Sequence, residues 1–152
     1  MKARYIFAIF ALAFLFSLLG CGYAERLDPN VYTFDTPEQT AAAASKHAVM
    51  VTGTVRPINC CGSMLPLIQN GDLIVIAPVA FTDRLLGRVV VYRGGPAENW
   101  VHRLAAGTAE AGFIASGDNN AHSEAGRYVT AKNFVGEVVG IYRTQAKVTW
   151  TP

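Results

Sequence analysis

The chain has 152 residues, 51% of them hydrophobic and 16% charged, with a formal net charge of +2. That length accommodates one domain with a short extension, and the apolar fraction excludes a disordered chain. The small charge and the scatter of the basic residues exclude a surface that tracks a phosphate backbone, so no nucleic-acid partner is expected.

At the N-terminus, Lys2 and Arg4 precede an uncharged, apolar stretch from Tyr5 to Ala24. A charged start followed by an apolar run fits an export signal. A stretch of about 20 apolar residues also reaches the length of a single membrane anchor. Leu18-Leu19-Gly20-Cys21 resembles the lipobox of bacterial lipoproteins, in which the cysteine is lipidated. A lipidated Cys21, an uncleaved anchor and a cleaved signal thus remain as three readings of residues 1–24. All three carry the folded part across a membrane, with Lys2 and Arg4 left on the cytoplasmic side. The expected location is membrane-associated and extracytoplasmic, with membrane lipid as one partner. The other cysteines, Cys60 and Cys61, are adjacent, and a bond between neighbours is strained. No Cys/His metal spacing exists, so neither a disulfide framework nor a metal site nor any other cofactor is expected.

Residues 25–48 read as a tether and a short helix. Glu25 to Asp35 is polar and contains a proline. Thr36-Pro37-Glu38-Gln39 looks like a helix start, with Thr36 as cap, Pro37 in the first turn and Gln39 closing a capping box. The Ala41–Ala44 run carries the helix to about His47. From residue 49 to 152 the pattern changes to short β segments separated by glycine-containing turns. Strands are expected at about 49–55, 72–78, 87–93, 100–105, 113–116, 134–143 and 147–150. The fold class is therefore mainly β, a twisted antiparallel sheet or partial barrel with one short N-terminal helix.

Three short segments carry groups suited to chemistry. Ser63 lies in Gly62-Ser63-Met64-Leu65-Pro66, a loop that a proline can hold rigid, followed by Gly71-Asp72 and a strand. His102 lies within an expected strand between Trp100 and Leu104. Asp118 lies in Gly117-Asp118-Asn119-Asn120, which also reads as an Asx-type turn.

Taken together these segments resemble the boxes of the signal peptidase I family, especially its endoplasmic-reticulum and archaeal branch. The nucleophile box there looks like Gly-Ser-Met-x-Pro followed by Gly-Asp, matched here by 62–66 and 71–72. A Gly-x-Val-Val-x-x-Arg strand is matched by 87–93. A His-Arg pair is matched by His102-Arg103, where the common bacterial branch has Lys-Arg. A Gly-Asp-Asn-Asn box is matched by 117–120. The order agrees, and the resemblance covers about residues 49–143.

The resemblance implies the signal-peptidase fold and a serine endopeptidase that cleaves exported preproteins after small residues. It implies Ser63 as nucleophile, His102 as general base and Asp118 as the acid that orients the imidazole. Glu124, six residues after Asp118, is the alternative acid. The backbone N–H of Ser63 is expected to bind the oxyanion, with Cys61 standing where a hydroxyl often helps. The substrate is expected to approach as an extended strand against a sheet edge. Self-cleaving repressors use a lysine base and carry a DNA-binding domain, and neither feature is seen in this sequence. The alternative function is a catalytically inactive, membrane-tethered binding module of the same fold.

Overall fold

The computed structural model describes residues 24–59, 62–120 and 128–145. The architecture is mainly β, a curled half-barrel sheet, largely antiparallel, with one helix against it. The elements in chain order are β1 (Asn30–Phe34), α1 (Pro37–Met50), β2 (Thr54–Pro57), β3 (Leu73–Ala77), β4 (Val89–Arg93), β5 (Asn99–Thr108), β6 (Gly112–Ser116), β7 (Tyr128–Val129) and β8 (Phe134–Thr144). Short 3-10 turns cover Gly62–Met64 and Asp83–Leu85. The sheet runs β2-β3-β8-β4-β5-β6-β7, and β1 pairs with β8 off that path.

Helix α1 starts where its caps dictate. Thr36 is extended, and its hydroxyl accepts from the Gln39 backbone N–H, satisfying one orphan donor of the first turn. Ala44 and Ala48 are buried against Val75 and Tyr142 of the sheet. Small side chains on that stripe let the helix lie close to the strands. At the other end the helix runs on to Met50, so the strand expected over 49–55 is corrected to Thr54–Pro57. Val49 and Met50 are apolar but 81% and 74% exposed, at the tip of the helix rather than in the sheet. The Val51 N–H bonds back to His47 and the Gly53 N–H to Ala48, closing the last turn.

Successive buried strand residues alternate between two clusters. In β4, Val89 and Val91 enter one cluster with Ile58, Met64, Ile68, Ile74, Ile76 and Ile141. Val90 and Tyr92 enter a second, with Leu85, Leu104, Phe113 and Val129. Strand β8 is the spine, antiparallel to β3 and β4.

Three further expectations change. The stretch 25–35 is not a simple tether, because Asn30–Phe34 adds to β8 as a parallel strand. The sheet is therefore not wholly antiparallel. Strand β7 was not expected and is short, pairing only Phe113–Val129 and Ile114–Tyr128 in its ladder. The expected strand at 147–150 lies outside the described residues, as does the apolar segment up to residue 23. Among the described residues no helix is long and apolar enough to cross a membrane.

Candidate functional site

Ser63 sits half-buried in the short 3-10 turn Gly62–Met64. Two large side chains anchor its loop: Met64 and Ile68 are both buried in the β4-side core. The far end of the loop is held by an ion pair whose carboxylate is buried. Asp72 accepts from Arg143 Nε at 2.8 Å and Nη2 at 2.7 Å, and from the Gln69 N–H at 2.8 Å. Arg143 also donates to the Leu67 carbonyl, which ties the loop to β8. The hydrogen bonds that Arg143 donates to Asp72, with the carboxylate's charge, raise the Arg143 pKa further despite partial burial. Gly71-Asp72, which the resemblance assigns to the nucleophile box, braces the loop here.

His102 comes from β5 and is buried, facing the second cluster. Its register partner on β4 is Val90, so Tyr92, two residues along, is its diagonal neighbour on the same face. His102 Nε2 lies 3.2 Å from Ser63 Oγ, and His102 Nδ1 lies 2.8 Å from Tyr92 Oη. The fold thus brings together the two residues named as nucleophile and base, 39 positions apart in sequence. A hydroxyl within hydrogen-bond reach of an imidazole nitrogen is the elementary unit of nucleophilic catalysis.

Asp118 is placed elsewhere than expected. Its carboxylate takes a two-pronged contact from Arg103, Nε to Oδ1 at 2.8 Å and Nη2 to Oδ2 at 2.7 Å. Arg26 adds a third contact at 2.8 Å. The expectation that Asp118 orients the imidazole is therefore corrected: its oxygens are committed to guanidinium groups. Adjacent strand residues point to opposite faces, so an acid that binds Arg103 is drawn away from the ring of His102. Burial pushes the Asp118 pKa up, but the hydrogen bonds and charge of Arg103 and Arg26 outweigh it and hold the group below the ordinary carboxylate value. Arg103, also buried, is kept charged by Asp118 and Asp28 against its own desolvation, and donates to the Gly87 carbonyl as well. The alternative acid Glu124 lies outside the described residues, as does Cys61.

The Gly117–Asn120 turn still serves the site directly. The Asn119 N–H donates to the Ser63 carbonyl at 2.8 Å, and Asn119 Nδ2 donates to the Gly62 carbonyl at 2.9 Å. Gly117 lies so close that an added Cβ would stand 2.6 Å from the Ser63 carbonyl oxygen and 2.8 Å from its Cβ. Arg103 holds Asp118, Asp118 fixes the turn, and the turn fixes Ser63.

A cleft of about 290 Å³ lies between the edge strand β2 and β5, lined by Thr54, Arg56, Pro57, Asn99 and Val101 over a floor that includes Ile74, Ile76 and Val91. Its apolar floor belongs to the same cluster as Met64, the residue after Ser63.

Sequence reasoning missed Tyr92, Arg143, Arg26 and Asp28 as parts of this site. Tyr92 and Arg93 fall within the matched 87–93 strand, but only the register with β5 reveals which of them reaches His102. Arg143 is 71 residues from the aspartate it binds, a separation no local motif spans. Compared with models of known protein families the chain matches none, and no curated protein matches it.

Proposed function

We propose that the chain is a serine endopeptidase of the signal-peptidase type, membrane-associated on the extracytoplasmic side, acting on exported preproteins. The observation that carries this reading is the 3.2 Å contact between Ser63 Oγ and His102 Nε2, made by the two residues that the boxes name as nucleophile and base. The half-barrel sheet is compatible with the signal-peptidase fold, and the bracing of Ser63 by the Gly117–Asn120 turn gives the fourth box a physical purpose.

In this mechanism Ser63 Oγ attacks the scissile carbonyl carbon while His102 Nε2 takes its proton. The Ser63 N–H stabilises the developing oxyanion. His102 returns the proton to the leaving amine as the C–N bond breaks, giving an acyl-enzyme and a free mature N-terminus. Water, deprotonated by His102, then attacks the ester and restores Ser63. The substrate approaches as an extended strand that adds to a sheet edge. Asp118 acts as a brace of the Ser63 loop rather than as the partner of the imidazole.

The test is incubation of the full chain with a model preprotein in detergent, comparing wild type with Ser63→Ala. Release of the mature fragment by wild type alone supports the proposal. Equal release by a folded Ser63→Ala protein overturns it. A wild-type chain that binds preprotein without cleaving it favours the inactive binding module instead.

A further inference from the structure

We propose that Tyr92 is a positioning residue for His102, selecting the imidazole tautomer that can accept the Ser63 proton; this rests on the reading of Ser63 and His102 as nucleophile and base.

A neutral imidazole carries one N–H, and its other nitrogen is an acceptor. Only the form with the proton on Nδ1 leaves Nε2 free to take a proton from Ser63. In the other form Nε2–H points at Ser63 Oγ and the pair cannot react. Tyr92 Oη lies 2.8 Å from Nδ1. In the proposed arrangement the Nδ1–H donates a hydrogen bond to the neutral phenol oxygen, the Tyr92 O–H turns elsewhere, and Nε2 is left bare towards Ser63.

Tyr92 is well fixed for this task. It is only 1% exposed, and the edge of the Trp100 ring meets it at 86° with centroids 6.0 Å apart. Leu85, Leu104 and Phe113 share its cluster. The β4–β5 register, Val90 opposite His102 and Tyr92 opposite Trp100, sets the phenol diagonal to the imidazole. A buried tyrosine hydroxyl needs a hydrogen-bond partner, and here Nδ1 is one. Tyr92 and His102 each engage further groups as well.

The chain labelled with nitrogen-15 histidine allows the His102 tautomer to be read by two-bond proton–nitrogen NMR, with no cleavage reaction needed. Wild type is expected to show neutral His102 with its proton on Nδ1. Tyr92→Phe keeps the ring and its packing, and is expected to move His102 towards the Nε2–H form. In parallel, kcat on a model preprotein is expected to fall about tenfold with KM little changed, the size of one ordinary hydrogen bond. A wild-type His102 protonated on Nε2 overturns the inference, as does a Tyr92→Phe protein whose tautomer and kcat match an active wild type. If the tautomer shifts as expected but wild type cleaves no preprotein, the tautomer assignment stands and the protease reading fails.

Discussion

Replacing Gly117 by alanine tests whether the Gly117–Asn120 turn positions the nucleophile. The new methyl would stand 2.6 Å from the Ser63 carbonyl oxygen, 2.8 Å from Ser63 Cβ and 2.9 Å from Asn120 Nδ2. Ordinary contact begins at 3.4 Å, so the Ser63 atoms must retreat by roughly 0.6–0.8 Å. Neither atom is the end of a flexible side chain, so the whole residue has to move. The Ser63–His102 contact is already 3.2 Å, and the Ser63 carbonyl is tied to the Asn119 N–H. A shift of this size strains both bonds. Forced overpacking costs about 1–3 kcal/mol of stability, and a misplacement approaching 1 Å at reacting atoms costs about 10²-fold in rate. Cleavage of a model preprotein by the folded variant gives kcat and KM, and urea unfolding gives the stability. The expected result is a kcat lower by about 10² with KM less affected, because the displaced atoms belong to the nucleophile. Gly117→Ala protein with wild-type kcat and stability would refute the proposed brace.

Ser63→Ala and His102→Ala are each expected to abolish preprotein cleavage while circular dichroism stays that of the wild type, since nucleophile and base act as a unit. Asp118→Asn is expected to act mainly on stability, costing about 3 kcal/mol in urea unfolding by leaving the buried Arg103 with only the half-exposed Asp28 as counter-charge. Its folded molecules should lose far less activity than the ~10⁴-fold typical of a triad acid. The pH dependence has a definite sign. A carboxylate with a lowered folded pKa contributes stability that is fully present above the unfolded value of about 3.9 and is lost as pH falls through the folded value. Wild type should therefore lose stability more steeply than Asp118→Asn over that acidic range in a pH series of melts. Thr36→Ala should lower stability by about 1 kcal/mol with kcat unchanged, because the cap serves a helix that packs on β3 and β8 away from Ser63.

Local chemistry made much of this molecule readable in advance. The Thr36 cap, the β-branched runs at 72–78 and 87–93 and the glycine turns all act over a few residues, and these elements appear where the pattern puts them. The errors arise where long-range packing decides. Val49 and Met50 look like strand residues, yet the burial of Ala44 and Ala48 keeps the helix going past them. Asn30–Phe34 looks like polar linker, yet β8 offers it an open edge. At the site, nucleophile and base were recognisable as short boxes. The ring partner was not, because Tyr92 reaches His102 only through a strand register, and Asp118 is drawn away by Arg103, a charge one residue from the base on the opposite face.

The docked path of residues 24–28 alters the reach of the domain. The Leu27 N–H bonds to the Gly87 carbonyl, Arg26 pairs with Asp118 and Asp28 with Arg103. Eleven slack residues, 25–35, would form a leash of about 36–40 Å when extended. Here that leash is wound in, fastened first to the turn that backs Ser63 and then zipped onto β8. On the proposed reading, a bilayer holding the apolar segment would therefore hold the turn behind Ser63 close by, at a near-constant height. Under that proposal, substrate bonds lying far above the membrane surface would be out of the reach of Ser63.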